Sequence, residues 1–513
     1  MKKKSIRTII ASVLVILLIL SVDNLDLFAA EKNIIRVGIN QDVSTLFVNL
    51  NTGADFLLTG MVYQGPIWRD YKTGNFFNLL AKSVTVLKNK KDVKIVLRKD
   101  ARFHTGDPVT AHDAKFTYDL LSDVDNRAPG IVMFEEIENV EIVDDYTYIL
   151  HFWEPFAPWR QVAYMAIYSK EHYDRVGLEK FRKTPVGSGA FRFVERKPSE
   201  YVLFEAVENH PDYNIGFKTL RLIPVSDDIS RLAMLETGEL DLIAPIQPHQ
   251  VERLKQNKNI QVKVNRQSSS MIAVSLKGGI YPIMYDSKLT TGINHAINRQ
   301  EMVDKFFFSE GYPLYRYCSK SEYGYNPDFK YEYNPDKARR LISQSSYKPD
   351  MKLVFSYSSD VPNAGLVMTS FQKYLKEVGI NCEIQQLELG TMLTYNRDKD
   401  KRLGHGSLFT WGVQDDPYWR LALAFRSTGW ANGCPDRPNK DLIDKLVDKQ
   451  EREIDHKKRL ALIEKIHQSY MKTPGIAALF GLNTIYAMNN QTEYNWPGGG
   501  QGFSHLDQIK IIK

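Results

Sequence analysis

Two histidines and several carboxylates lie close together in one short stretch, FHTGDPVTAHDAKFTYDLL (residues 103–121). Histidine and carboxylate side chains are common metal ligands and proton carriers. However, the spacing of His104 and His112 fits no recognised ligand motif such as HExxH. Thr110 and Asp113 instead fit a capping box, in which the two side chains satisfy free amides at a helix start. We therefore predict a structural role for this stretch, with a helix beginning after Thr110.

The composition excludes several classes of function. The chain has 513 residues, 43% hydrophobic and 25% charged, which is enough for several globular domains. Its net charge of +6 is spread along the chain without a basic stripe, so we expect no nucleic-acid partner. No GxSxG, HExxH, Walker or dinucleotide motif is present, so we predict neither an enzyme nor a bound cofactor or metal. Alternating strand and helix patterns predict α/β lobes.

The N-terminus resembles a secretory signal peptide. Basic residues precede the apolar run 9–20, which is too short for a comfortable membrane span. We predict residues 1–30 as the signal, either cleaved or kept as an anchor, because Leu27 or Phe28 occupies a position where cleavage prefers a small residue. No cysteine lies near the run, so we expect no lipid anchor there. The body is predicted to be exported, to the periplasm or the outer face of the cytoplasmic membrane.

Three cysteines allow at most one disulfide within the chain. Cys318 and Cys434 stand in polar surroundings rich in glycine, proline and tyrosine that are typical of loops, so we predict a disulfide between them. Cys382 follows the pattern of a strand residue and is predicted to pack as a small apolar group.

Other segments have direct physical interpretations. Gly187 and Gly189 are predicted to supply backbone freedom for a tight turn. Gly238 is predicted to end a helix before a strand. The segments 337–344 and 455–472 have the periodicity of amphipathic helices, and we expect their basic faces to be solvated.

Several segments resemble one family, in the family's own order. The pattern F-H-x-G-x-P-x-T-A-x-D, from residue 103, resembles a signature of family 5 extracellular solute-binding proteins, the peptide, dipeptide and nickel-type receptors of ABC importers. Further resemblances cover nearly the whole chain after the signal, although Val84, Ser188 and Ala190 depart from the usual residues. These segments are MVYQGPIWRDYKTGNFFNLLAKSVTV (61–86), PVGSGAFRF (185–193), IPVSDDISRLAMLETGELDLI (223–243), INHAINRQEMVDKFFFSEGYPL (293–314) and FTWGVQDDP (409–417).

The resemblance implies a bilobal, type II periplasmic-binding-protein-like α/β fold with an extra subdomain, two lobes being joined by a hinge. Ligand capture by hinge closure is then expected. The hinge strands would lie near 268–276 and 478–488. The predicted domains are residues 31–60, 190–268 and 485–513 for the main part of lobe I, 61–189 for its extra subdomain and 269–484 for lobe II.

The resemblance places ligand contacts mainly in the segment 409–417. Trp411 offers a flat surface to a ligand, the alternative being a core position. Peptide receptors carry an acid three residues after this tryptophan, and Gln414 stands there. The shorter loop is closer to the nickel-type "TWGxxxDP", in which histidine usually follows the proline, yet Tyr418 stands at that position.

Asp415 and Asp416 are further candidates that could meet a cation or an amine. Asp416 precedes a proline and could equally cap a turn.

Hydroxyl groups near the predicted hinge and the first loop complete the candidate site. Ser268, Ser269 and Ser270 could offer hydroxyls to a ligand or simply form an exposed strand start. Ser44 and Thr45, together with Asp42, lie where the family's first loop borders the cleft.

We therefore predict an exported, monomeric receptor that captures a peptide between two lobes and delivers it to ABC permease subunits. The partner consumes ATP, so this chain needs no nucleotide site. A nickel-type or metal-chelate receptor of the same family is the alternative. Alternatives of another class are a ligand-presenting sensor or adhesin, and a hydrolase.

Overall fold

The computed structural model describes residues 33–43, 46, 61–70, 73–123, 133–397, 401–412, 416–495 and 505–512. The predicted signal 1–30 lies outside these residues, as do Ser44, Thr45, Gln414 and Asp415.

The described strands form one large sheet and three smaller ones. In chain order they are β1 (Ile34–Ile39), β2 (Ile67–Arg69), β3 (Phe76–Asn78), β4 (Ala81–Val86), β5 (Asp92–Leu97), β6 (Ile137–Asp144), β7 (Thr147–Phe152), β8 (Phe191–Lys197), β9 (Tyr201–Ala206), β10 (Thr219–Pro224), β11 (Leu242–Ala244), β12 (Ile260–Leu276), β13 (Gly311–Pro313), β14 (Leu353–Tyr357), β15 (Cys382–Gln386), β16 (Gly406–Trp411), β17 (Ile476–Asn489), β18 (Thr492–Glu493) and β19 (Lys510–Ile511).

Helices begin where the sequence supplies capping side chains. Asn298, Asn334 and Asp455 each accept a hydrogen bond from the amide three residues later. The described α-helices are α1 (Ala111–Ser122), α2 (Trp159–Ala163), α3 (Lys170–Val176), α4 (Leu178–Phe181), α5 (Asp228–Glu236), α6 (Val251–Lys255), α7 (Ser287–Ala296), α8 (Arg299–Phe307), α9 (Pro335–Ser343), α10 (Ala364–Glu377), α11 (Leu389–Arg397), α12 (Tyr418–Arg420), α13 (Lys440–Arg452) and α14 (His456–Tyr470).

The large sheet has the strand order β15-β14-β16-β12-β17-β11-β1-β10-β9-β8, with β13 paired to β17. At one end β1 lies parallel to both β10 and β11, and at the other end β14 lies parallel to both β15 and β16. Parallel neighbours need long crossover connections, which the helices supply. The predicted α/β class is confirmed.

Two long strands, β12 and β17, join the two ends of this sheet. Residues 260–265 of β12 pair with 484–489 of β17, and residues 269–275 pair with 476–483. A register shift separates the two stretches between Asn265 and Ser269. The predicted hinge segments 268–276 and 478–488 lie in these two strands.

Different apolar clusters cover the two halves of the long strands. Ile485 and Ala487 of β17 pack in a cluster with α5 and α6. Ile272 and Val274 of β12, with Leu479 of β17, pack in another cluster with α7, α8 and α10. The strands therefore pass from one core to another over a few residues.

A separate four-stranded sheet, β4-β5-β7-β6, packs against α1. The helix begins as predicted: the Thr110 amide donates to Asp113 Oδ2 at 2.9 Å, and the Thr110 hydroxyl donates to the same oxygen at 2.7 Å. The other oxygen of Asp113 accepts from the Lys170 amide at 2.9 Å, which ties α1 to the start of α3. The structural role predicted for Asp113 is confirmed.

One basic residue of α14 differs from the prediction of a solvated face, whereas Lys457, Lys458 and Lys465 are exposed as predicted. Arg459 is 6% exposed and points inward, because its guanidinium meets a carboxylate that lies 43 residues earlier in the chain. The prediction is wrong for this residue.

The predicted disulfide between Cys318 and Cys434 is wrong, because all three cysteines are buried free thiols. Cys434 Sγ lies 3.2 Å from the carbonyl oxygen of Leu276, at the end of β12. Cys318 Sγ lies 3.8 Å from the carbonyl oxygen of Ser319. Cys382 begins β15 and packs in the cluster of α7, α8 and α10, as predicted.

Gly187 and Gly189 are needed for close approach between two backbones. A Cβ on Gly187 would lie 1.9 Å from the carbonyl oxygen of Val62, and one on Gly189 would lie 2.4 Å from that of Met61. The Gly189 amide donates to Val62 O at 2.9 Å, so the segments are held at this distance. The prediction named the correct residues, but space rather than backbone freedom explains them.

We expect Gly187→Ala to lower the free energy of unfolding by about 1–3 kcal/mol, the usual cost of overpacking. Gly216→Ala is the matched control, since no atom lies within 4 Å of its added methyl group. The two variants and the wild type would be compared by urea unfolding. Equal stability of the two variants would contradict the close-approach explanation.

Candidate functional site

Three predicted site residues come together where the long strands pass between cores. Trp411, the last residue of β16, pairs with Met271 of β12. The adjacent Ser270 and Ser269 pair through their backbones with Leu482 and Asn483 of β17. The backbone of Trp411 is therefore adjacent to the serine-bearing part of β12.

Polar side chains lie on the strands near Trp411. Asn483 Nδ2 donates to Glu310 Oε2 at 3.1 Å, and the guanidinium of Arg266 lies 3.6 Å from the other oxygen of Glu310. Asn483 pairs with Ser269 and so lies on the same face of the sheet as Met271 and Trp411. Ser270 is exposed on the opposite face, because side chains alternate along a strand. Asp42 forms an ion pair, in which its Oδ2 accepts from Arg196 at 2.8 Å.

The ring of Trp411 is half-buried. It packs edge-on against Tyr317, with ring centres 5.6 Å apart, and the Arg420 guanidinium lies 5.9 Å from the ring centre. Part of the ring contacts the core and the rest is accessible, so the ligand contact at Trp411 stays a prediction.

A buried ion pair that the sequence analysis missed lies beneath this ring. Glu322 and Arg420 have side chains that are 1% and 2% exposed, and two guanidinium nitrogens meet the two carboxylate oxygens. Arg420 also donates to the carbonyl oxygen of Tyr317, whose ring contacts Trp411, and to that of Gly412, the residue after Trp411 in the chain. Burial alone would lower the pKa of Arg420, but the charge of Glu322 outweighs it and the pKa rises. The ion pair therefore holds in place Tyr317 and Gly412, the two residues that adjoin Trp411.

Asp416 caps a turn and forms a second ion pair. Its Oδ1 accepts from the Tyr418 amide at 2.9 Å, at the start of α12. Arg459 of α14 donates to its two oxygens at 2.5 and 2.6 Å. Of the two roles predicted for Asp416, the geometry supports turn capping, because its charge is already matched by Arg459.

A cavity of about 540 Å³ lies beside this pair, and we call it the α2–α14 cavity. One wall comes from the segments around β3 and α2, the other from α14 and the loops beside it. Its side chains include Arg69, Phe76, Arg160, Tyr323, Asp416 and Arg459.

Direct contacts join the same two walls next to the cavity. The rings of Phe156 and Tyr418 meet edge-to-face, with centres 5.2 Å apart. The Ala157 amide donates to Glu451 O at 2.6 Å, and Arg452 donates to Glu136 at 2.6 Å. The cavity is therefore closed on one side by contacts between segments that are remote in sequence.

His104 is a structural residue, as predicted. Its Nδ1 faces the Gly187 amide at 3.4 Å and its Nε2 lies 3.0 Å from Gly189 O, which assigns the proton to Nε2. Burial lowers the pKa of His104 to about 4, although the bond to the Gly189 carbonyl opposes this. His112 lies on the exposed face of α1, with its Nε2 3.6 Å from Asp145.

The profile of "Bacterial extracellular solute-binding proteins, family 5 Middle" matches residues 75–432. The chain belongs to this family. The glutathione-binding protein GsiB of Escherichia coli K12 is 26% identical over 415 residues, which is 79% of this chain and 79% of GsiB. The predicted family resemblance is thus confirmed.

Solved structures with the same fold include proteins with different ligands. The periplasmic binding protein DppA of Helicobacter pylori, in complex with the peptide STSA, superimposes with a TM-score of 0.79 at 21% identity, covering 95% of this chain and 100% of DppA. NikZ of Campylobacter jejuni, in complex with Ni(L-His), gives a TM-score of 0.82 at 18% identity, covering 93% of this chain and 99% of NikZ. The bilobal fold class is confirmed, and the family is one of binding proteins.

Two further features are absent from the described residues. No helix there is long and apolar enough to cross a membrane. No three His, Cys, Asp or Glu side chains of the described ranges are grouped so that they could hold a metal ion.

We expect Glu322→Gln to destabilise the protein by about 3 kcal/mol, because it leaves Arg420 buried without a counter-charge. Glu205→Gln is the control, since Glu205 forms an exposed pair with Arg192, and it should cost less than about 1 kcal/mol. Urea unfolding of the three proteins tests this. If Glu322→Gln lowers the free energy of unfolding no more than Glu205→Gln does, the buried pair does not stabilise the fold.

The pKa of His104 predicts a pH effect on stability. Because its folded pKa is about 4, below the usual 6.5, the unfolded chain binds a proton that the folded chain excludes between these pH values. Stability is therefore lost as the pH falls from 6.5 towards 4, by up to about 1.4 kcal/mol per pH unit from this residue. His104→Gln should remove that part of the slope, whereas His112→Gln should keep the wild-type profile. Identical slopes in all three proteins, from urea unfolding at several pH values, would contradict the assignment.

Proposed function

We propose that this chain is the extracytoplasmic receptor of an ABC importer, which captures a small peptide beside Trp411 and delivers it to permease subunits. Family membership and the relatives support this. GsiB is named for binding glutathione, DppA was solved with the peptide STSA, and a fold neighbour from Pseudoalteromonas with Met-Leu. The observation that carries the proposal is the half-buried ring of Trp411, which is paired to β12 at Met271 beside the β12–β17 ladder.

The physical basis is a rigid platform beside a flexible connection. Trp411 supplies apolar area, and the side chains of Asn483 and Glu310 supply hydrogen-bonding groups, a combination that suits a peptide. The cores change along β12 and β17 near the register shift, so bending there moves one half of the molecule against the other. Closure then buries the ligand, and the closed form is what the membrane partner recognises.

The same proposal includes the broader setting of the receptor. The chain is exported by its N-terminal segment 1–30 and acts as a monomer without catalysis. The lobes follow the predicted domain boundaries, with the hinge in β12 and β17, and Gln414, Asp415, Ser44 and Thr45 contribute to the cleft.

A nickel or metal-chelate ligand is the second candidate. The short loop FTWGVQDDP and the likeness to NikZ favour it. A chelate would also stack on Trp411, so the two candidates share the platform and differ in the ligand.

Ligand binding by the full chain can be measured with four probes by thermal shift and titration calorimetry. Glutathione, Ser-Thr-Ser-Ala and Met-Leu represent peptides, and nickel with L-histidine represents a chelate. We expect at least one peptide to raise the melting temperature. Trp411→Ala should weaken that binding at least about tenfold, because it removes the aromatic platform. Trp430→Ala, at an exposed tryptophan outside the site, should leave it unchanged.

Binding of nickel with L-histidine alone would favour the second candidate. Peptide binding that survives Trp411→Ala without loss would contradict the placement of the ligand beside this residue.

A further inference from the structure

One junction beside the α2–α14 cavity joins segments that are far apart in the chain. Arg452, at the end of α13, donates to Glu136 Oε2 at 2.6 Å, and 316 residues separate the two in the sequence. The Ala157 amide donates to the carbonyl oxygen of Glu451 at 2.6 Å. These two contacts hold the end of α13 against residues that precede β6 and follow β7.

The junction also has an apolar part. Phe156 and Tyr418 are both buried, and their rings meet edge-to-face with centres 5.2 Å apart. Tyr418 packs with Phe156 in the apolar cluster of α1 and the four-stranded sheet. Leu421 and Phe425, which follow it in the chain, pack instead in the cluster that Trp411 adjoins. This short segment therefore connects the surroundings of Trp411 to the core of the four-stranded sheet.

The charges of the junction make it a weak contact. The side chains of Glu136 and Arg452 are 20% and 35% exposed, and ion pairs that water reaches contribute little. The Glu451 side chain is 2% exposed, so the contact keeps a carboxylate out of water, and the ion pair with Arg426 offsets part of that cost. The junction is thus held mainly by its two rings, and a change of charge at Glu136 or Arg452 is enough to shift it.

We propose that this junction is a latch, which forms when the lobes close on a ligand and separates when they open. The inference rests on the proposed function, since it assumes that bending in β12 and β17 moves lobe II. The predicted lobe I segment 190–268 lies between the two sides of the junction in the chain, so the contacts between them there are noncovalent. The extra subdomain, which holds Glu136 and Phe156, then retains lobe II in the closed position and slows the release of the ligand.

The hydrogen bond of the Ala157 amide provides a local measure of the latch. A bonded amide exchanges its hydrogen with solvent when the bond opens, so its exchange rate reports how often the junction separates. The Leu150 amide is the internal reference, because it lies in β7, between β5 and β6 of the four-stranded sheet, and does not cross the junction.

The test compares the full-chain wild type with Glu136→Arg, Arg452→Glu and the double variant that carries both changes. Each single change places like charges at the junction, and the double variant restores an opposite pair. Lys449→Glu is the control, since Lys449 is exposed on the same helix and receives the same change of charge.

Two measurements are made on each protein. Hydrogen exchange by mass spectrometry, resolved to single amides, is recorded with and without four probes: glutathione, Ser-Thr-Ser-Ala, Met-Leu, and nickel with L-histidine. Surface plasmon resonance gives the dissociation rate of each probe that binds.

In the ligand-free wild type, we expect the Ala157 amide to exchange at least about tenfold faster than the Leu150 amide, and a bound probe to slow it at least about tenfold. Each single change should speed both the exchange at Ala157 and the dissociation of the probe about three- to tenfold, without changing the exchange at Leu150. The double variant should return to within about twofold of the wild type, and Lys449→Glu should match the wild type.

Two results would overturn the latch and leave ligand capture standing. One is exchange at Ala157 as slow as that at Leu150 in a ligand-free wild type that binds a probe, because the junction then does not open separately. The other is an equal dissociation rate of the probe in the wild type and both single variants. If none of the four probes binds the wild type, ligand capture fails and the latch fails with it.

Discussion

The antiparallel ladder between β12 and β17 is the constraint on which the rest of the structure depends. It is one pair of strands that serves both ends of the large sheet: β16 is bonded to β12 on one side, and β11 to β17 on the other. The register of the ladder shifts between Asn265 and Ser269 and again between Ile272 and Ala273. Trp411 is fixed to β12 at Met271, between these two shifts. The same hydrogen bonds thus hold the two ends of the sheet together and position Trp411.

Two buried ion pairs hold the residues around Trp411 and the turn before α12 in one arrangement. Removing two charges from water is costly, and their attraction offsets that cost only when the geometry is good and the remaining donors are satisfied. Glu322 and Arg420 meet the geometric condition, and the guanidinium also bonds to the backbone carbonyls of Tyr317 and Gly412, but its buried Nε has no hydrogen-bond partner among the described residues. Asp416 and Arg459 meet them at the turn that starts α12. Such pairs add little net stability, but they hold the platform and the turn in one arrangement.

Features that depend on neighbouring residues could be predicted from the sequence. The helix start at Thr110 and the strand position of Cys382 depend on spacing within a few residues, and motif order was enough to place the chain in its family. Features that depend on distant partners could not. Nothing local distinguishes Arg459 from the lysines before it, because its inward direction is set by Asp416, 43 residues away.

The residues of the candidate site also separate into those with a local sequence signal and those whose role depends on a partner distant in the chain. The sequence indicated Trp411 and the serines but gave no sign of Glu322, whose partner is 98 residues away. Gly187 was singled out correctly, yet its reason is the backbone of Val62, which only the fold brings near. The Cys318–Cys434 prediction failed because similar loop composition says nothing about distance.

The contact between the two walls of the cavity carries opposing energies. Phe156 and Tyr418 gain from burying their rings, but the same contact removes Glu451 from water. Burial raises the pKa of that carboxyl to about 7, although Arg426 opposes the shift. The ion pair with Arg426 offsets part of the cost of burying the Glu451 charge. The contact between the walls is therefore less favourable than the burial of its two rings alone would make it.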